Sequence, residues 1–132
     1  MSHYFTTPTS DEKRRTITCR FWETDWTFET ANGVFSGDGL DLGTAVLLRT
    51  HTPDARARRL LDLGCGYGVL AVGLASASPH AEVDAVDVNE RAIALTRDNA
   101  KRHRVGDRVH AMSPEQADPT IVYDEIWSNP PI

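Results

Sequence analysis

Apolar and polar positions alternate with a period of two between residues 17 and 30. Ile17, Cys19 and Phe21 fall on one face of a strand, and Trp26, Phe28 and Thr30 on one face of another. Trp22-Glu23-Thr24-Asp25 separates them as a turn, so the pattern predicts a β-hairpin. Residues 1–14 are polar and rich in Pro, Ser and Thr, which predicts a flexible N-terminal arm. Asn32-Gly33 and Gly37-Asp38-Gly39 are turn punctuation. From Leu40 the apolar positions 40, 47 and 48 take helical spacing, and Pro53 ends that helix's reach. Beyond Arg59 short apolar runs alternate with helical stretches. Strands are predicted at 60–63, 83–88, 108–111 and 125–128, and helices at 69–77 and 90–102, the second with Asn89 as N-cap. This alternation specifies an α/β fold with a parallel sheet and right-handed crossovers.

A nucleotide-binding sheet of this kind usually has six or seven strands. Four are legible here, so the expectation is a sheet truncated after its fourth strand, within a larger domain. The organisation expected is an arm (1–14), a hairpin and helix (15–52), and the first half of a nucleotide-binding sheet (53–132). The uncovered fourth strand is expected to favour self-association.

Composition narrows the class. The 132 residues are 40% hydrophobic and 25% charged, which is the balance of a globular protein. No apolar run is long enough to span a bilayer. Cys19 and Cys65, far apart and without a leader peptide, read as reduced thiols of a cytoplasmic protein. A net charge of −5 argues against wrapping nucleic acid by bulk electrostatics. Basic clusters at 13–15, 56–59 and 101–104 read first as solvated charge. The five histidines are scattered without ligand spacing, so no metal site is expected.

Candidate chemistry starts at "LLDLGCGYG". Gly64, Gly66 and Gly68 follow a strand and open a helix, where bare backbone and unpaired N–H groups can meet a ligand. Asp87 ends the next strand, 19 residues past Gly68, where a carboxylate can accept from both ribose hydroxyls of a nucleoside cofactor. A dinucleotide site would space its glycines G-x-G-x-x-G. The spacing here is D-x-G-x-G-x-G, and Asp62 beside the loop suits a ligand with a positive amino group. That favours S-adenosyl-L-methionine (SAM) and leaves NAD as the alternative.

With these residues in view, the chain resembles the class I SAM-dependent methyltransferases, and more closely the methyltransferase small domain family, which includes ribosomal RNA guanine-N2 methyltransferases. Three segments carry the likeness: "GVFSGDGLDLGTAVLL" (33–48), "LLDLGCGYGVLAV" (60–72) and "DEIWSNPPI" (124–132). The resemblance implies a Rossmann-like methyltransferase sheet. Gly64, Cys65, Gly66 and Gly68 would border the methionine half of SAM, with Asp62 near its amino group. Asp87 would hold the ribose, and Val88 would pack by the adenine. Phe35 and Thr44 would close over the cofactor, while Asn129, Pro130 and Pro131 would face the transferable methyl. Relatives often carry an acidic residue after the third strand for the adenine amine, where this chain has Ser113. They often carry an aromatic residue after the two prolines to stack on the target base, where this chain has Ile132.

The Asn-Pro-Pro segment has a chemical rationale. A conjugated exocyclic amine is a poor nucleophile because its lone pair is delocalised. Two acceptors for its N–H groups, the Asn129 side-chain oxygen and the Pro130 carbonyl, would aim that lone pair at the methyl, and the prolines would hold both acceptors in place. The expected activity is therefore methyl transfer to an exocyclic amine, with guanine N2 of ribosomal RNA implied by the resemblance. Adenine N6, a protein glutamine amide, or SAM binding without catalysis remain alternatives. Trp22, Trp26 and Trp127 read as packing residues and Cys65 as a small buried filler.

Overall fold

The computed structural model describes residues 11–34 and 40–129. Strand β1 (Arg14–Phe21) pairs antiparallel with β2 (Thr24–Ala31), Cys19 facing Trp26 and Ile17 facing Phe28. The connection is tighter than predicted. Thr24 and Asp25 join β2, leaving a two-residue turn in which Trp22 and Glu23 have φ of 48° and 61°. Two consecutive positive φ values match the twist of the flanking strands, and that overrides the cost of left-handed backbone at non-glycine residues. Trp22 is also clamped from outside, its indole N–H lying 2.9 Å from the Leu48 carbonyl and 3.0 Å from that of His51. The predicted inward face is the buried one. Trp26 and Phe28 stack in line with Phe21, and His103 wedges between them with its ring centroid 5.2 Å from each.

The second sheet is parallel throughout. Its strands are β3 (Arg59–Leu63), β4 (Glu82–Val86), β5 (Val109–Met112) and β6 (Glu125–Ser128), in the spatial order β5-β4-β3-β6. Helix α1 (Leu42–Thr50) precedes it, α2 (Val69–Ala77) joins β3 to β4, and α3 (Glu90–Arg102) joins β4 to β5. Two boundaries move for local reasons. Helix α1 starts at Leu42 because the Asp41 carboxylate caps it, accepting from the Thr44 N–H at 2.9 Å. Strand β4 stops at Val86 because the next residue, Asp87, turns to accept from the N–H groups of Gly66 and Asn89, both at 2.9 Å.

Helix α2 is apolar all round and buried from Val69 to Ala75, so it is the centre of the core. Phe28 of the hairpin, Leu60 of β3, Leu74 of α2 and Leu95 of α3 are all fully buried and bring the three layers together. Each such side chain contributes about 1.5–3 kcal/mol relative to exposure. In the middle of β4, buried Asp84 accepts from the Arg59 guanidinium at 2.7 and 2.8 Å and from the Tyr123 hydroxyl at 2.6 Å. Some members of the basic clusters make ion pairs: Arg14 bridges Glu12, Glu29 and Asp98, and Arg59 holds Asp84.

The topology decides where a ligand can sit. The chain leaves β3 for β4 on one side and later places β6 on the other, which opens a crevice at the C-terminal ends of β3 and β6. The loop 64–68 follows β3, Asp87 follows β4, Ser113 follows β5 and Asn129 follows β6. Every described candidate outside α1 except Asp62, which is the penultimate residue of β3 itself, therefore lies just past a strand's C-terminal end.

Candidate functional site

The glycine loop is built against β4 and α3. The N–H groups of Gly64 and Cys65 donate to the Val86 carbonyl at 2.8 and 3.0 Å, and Thr96 Oγ1 donates to the Gly66 carbonyl at 3.0 Å. Gly64, Gly66 and Gly68 all have positive φ. Gly68 has the strictest requirement: its φ is 101°, and a Cβ there would stand 3.1 Å from the Thr96 backbone. Asn99 ties the loop to the hairpin. Its amide nitrogen donates to the carbonyls of Tyr67 (2.7 Å) and Glu29 (2.8 Å), and its oxygen accepts from the Glu29 N–H (2.8 Å). Sequence reasoning missed this residue. The available signal was a polar side chain on the apolar stripe Ala92-Leu95-Thr96-Asn99 of α3.

Asp87 is half-buried, and each carboxylate oxygen accepts one backbone N–H, which leaves lone pairs on its open side. Burial raises its pKa, and the hydrogen bonds from Asn89 and Gly66 work against that. Val88 is 47% exposed on the rim beside it. Ser113 adjoins this region, since the Asp87 N–H donates to the Met112 carbonyl at 3.1 Å. Its hydroxyl is partly engaged, donating to Gln116 Oε1 at 3.2 Å.

Asp62 sits beneath the loop, not on its surface. It is fully buried and neither carboxylate oxygen has a hydrogen-bond partner. Burial pushes its pKa up to about 7; the Ala71 N–H, which leans toward it without full hydrogen-bond geometry, only partly offsets this. A ligand ammonium would feel this acid through the loop and would not touch it as placed. Cys65 is buried against Thr96 Oγ1 at 3.4 Å, and burial holds its thiol well above the ordinary range, so it is no nucleophile.

Asn129 closes the site from β6. Its Nδ2 donates to Thr44 Oγ1 at 2.7 Å and faces both Asp41 oxygens at 3.0 Å. Its Oδ1 lies over Gly43, 2.5 Å from where a Cβ on that residue would stand. Thr44, Gly64, Cys65, Gly66 and Asn129 line one cleft with Asp41, its volume ≈ 40 Å³. The structure thus gathers the candidates from α1, β3 and β6 around one point, with Asp87 joined to it through Gly66. Phe35, Pro130, Pro131 and Ile132 lie outside the described residues.

The profile of the methyltransferase small domain family matches residues 25–132. The chain belongs to that family. Within it, the chain is 42% identical over 107 residues to "Ribosomal RNA small subunit methyltransferase C" of Citrobacter koseri, covering 81% of this chain and 31% of that protein. It is 31% identical over 133 residues to "Uncharacterized protein YbxB" of Bacillus subtilis, covering 98% of this chain and 66% of that one. Among solved structures, the T. thermophilus 16S rRNA N2 G1207 methyltransferase (RsmC), in complex with AdoMet and guanosine, superposes with a TM-score of 0.76 at 26% identity. That match covers 95% of this chain and 34% of the other. The chain spans about a third of the length of the ribosomal RNA methyltransferases it matches. The Rossmann-like methyltransferase sheet and the N-terminal hairpin are both as the sequence predicts. Among the described residues no group of three or more His, Cys, Asp or Glu gathers to hold a metal, and no helix is long and apolar enough to cross a membrane.

Proposed function

We propose that this chain carries the SAM-binding and amine-holding part of a methyltransferase acting on the exocyclic amine of guanine, N2, in ribosomal RNA. The observation that carries the reading is the placement of Asn129 at the switch-point crevice, where it lines one small cleft with the glycine loop. SAM fits the donor set better than a dinucleotide. Asp41 and Asp87 flank the loop, with the buried Asp62 beneath it adding charge as it ionises near pH 7. They would repel a pyrophosphate, whereas a ligand bearing cationic ammonium and sulfonium groups is attracted. Asp87 keeps open lone pairs for ribose hydroxyls, and nothing lies within 4 Å of the position a Cβ would take on Gly64. The names of the Citrobacter koseri and T. thermophilus proteins support the same cofactor and substrate class.

When bound, the cofactor supplies a methyl group on a positively charged sulfur. The protein's part is positioning. Asn129 Oδ1 accepts one amine N–H and turns the nitrogen lone pair toward the cleft. Pro130, Pro131 and Ile132 are assigned from sequence alone, the Pro130 carbonyl as the second acceptor and Ile132 as an apolar cover for the base. Phe35, Thr44 and Val88 shelter the cofactor, and Ser113 meets its adenine amine. Action on ribosomal RNA places the enzyme in the cytoplasm. The edge strand β6 gives the chain a route to self-association.

The test is methyl incorporation from labelled SAM into ribosomal RNA, DNA and protein, with and without Asn129→Ala. We expect label in RNA at guanine N2, and a loss on the order of a hundredfold in kcat for the variant. Label confined to protein, or unchanged turnover in Asn129→Ala, would overturn the reading. Calorimetry with SAM and NAD decides the cofactor.

A further inference from the structure

The polar cluster where α1 meets the end of β6 does more than cap a helix. An Asn side chain has two ends of nearly equal shape, one accepting and one donating. Only the oxygen end can accept from a substrate amine, so something must decide which end faces the cleft. Asp41 is placed to do so. An ionised carboxylate can only accept, so the NH2 end of Asn129 must face it, and both Asp41 oxygens lie 3.0 Å from Nδ2. Thr44 Oγ1, at 2.7 Å, takes the other N–H. A flipped amide would set oxygen against oxygen on a charged group. With both N–H groups of the amide engaged, Oδ1 is the part of the side chain free to accept.

The opposite wall of the amide is shaped for the same end. Oδ1 rests over Gly43, and a Cβ there would stand 2.5 Å from it and 3.1 Å from both Cγ and Nδ2. No contact between an ordinary side chain and an amide is that short, so the amide occupies its place only because residue 43 has none. Gly43 lies in the first turn of α1, where alanine is the better helix former. Helix stability thus gives no reason for glycine here, and the approach of Asn129 does.

We propose that Asp41 is the positioning residue of the reaction, fixing the orientation of the Asn129 amide so that its oxygen faces the substrate amine, with Gly43 supplying the space in which the amide lies. This rests on the methyl-transfer reading given above. Asp41 also caps α1, so the variant that separates the two roles is Asp41→Asn. Asparagine caps a helix as well as aspartate, but it offers a donor as well as an acceptor and lets the Asn129 amide turn either way.

The experiment is a double-mutant cycle on kcat and KM with Asp41→Asn, Asn129→Ala and the pair, together with Gly43→Ala. Asp41→Asn should lower kcat on the order of tenfold to a hundredfold with KM for SAM within about twofold, and should add almost nothing on top of Asn129→Ala. Gly43→Ala should reproduce the loss while leaving the melting temperature unchanged or higher. Losses that multiply in the pair, or a rise in KM for SAM at unchanged kcat, would overturn the proposal. A second readout needs no turnover. The Asn129 side-chain NH2 signals in a 15N–1H spectrum should exchange with water at least about tenfold faster in Asp41→Asn, because a charge-assisted hydrogen bond is lost. An unmoved NH2 pair would sink the role of Asp41 even if methyl transfer to RNA is found. Altered NH2 signals in a chain that labels no RNA would sustain it and sink the substrate reading alone.

Discussion

One buried acid makes its own contribution to how stability responds to pH. Asp62 has a folded-state pKa of about 7 against 3.8 in the unfolded chain, so the folded form binds its proton more tightly. The sign follows directly: this group costs nothing below about pH 4, and its penalty grows as pH rises, completing above about pH 7. The shift corresponds to roughly 4 kcal/mol as a ceiling, since burial dominates it. Asp62→Asn cannot ionise, so the difference in melting temperature between variant and wild type should shift in the variant's favour from pH 5 to pH 8. A pH-independent difference would refute the buried-acid account. Gly68 gives the second prediction at this scale. Alanine there meets a φ of 101° and the Thr96 backbone at 3.1 Å, and should cost about 2 kcal/mol or more in denaturant unfolding.

At the level of elements, patterning carried most of the way. Helices α2 and α3 and strand β6 stand at their predicted limits, because each has a strong period and a clear punctuation mark: Gly68 before α2, Asn89 before α3 and Asp124 before β6. The boundaries at Asp41, Thr24 and Asp87 moved for a shared reason. At each a capping carboxylate or a left-handed turn decides where the element starts or stops. The glycine loop and Asp87 were legible because their spacing is local. The bond between Asp41 and Asn129 spans 88 residues and was not. Asp62 was legible as an acid beside the loop but not as one sealed beneath it, since periodicity says which face is inward and not how deep a position lies. One cap can be tested alone. Asn89 accepts from the N–H groups of Arg91 and Ala92 and also donates to the Gly33 carbonyl at 2.8 Å. Asn89→Ala should therefore cost more than the roughly 1 kcal/mol of an ordinary cap, measured by urea denaturation.

For the molecule as a whole, two surfaces bear on behaviour in solution. Strand β6 is paired only with β3 among the described residues, and Ile126 on it is 63% exposed, with Val122 before it at 87%. Strand edges with apolar neighbours recruit other strands. Light scattering should show mass rising with concentration, and Ile126→Lys should suppress the rise; a concentration-independent monomer in the wild type would dispose of the idea. The other surface is the hairpin, which packs on α2 and α3 through its aromatic face. It reaches the loop through Phe28, whose ring meets that of Tyr67 edge-on at 6.1 Å, and through Asn99.

That last link makes the hairpin a remote reporter of the ligand loop. One amide group grips both the Glu29 backbone and the Tyr67 carbonyl, so a ligand that quiets the loop also removes freedom from β2. Deuterium uptake at residues 27–31 should slow when SAM is added, although no atom of the cofactor need come near them. Asn99→Leu should weaken the coupling, so that SAM slows exchange in β2 by less than it does in the wild type.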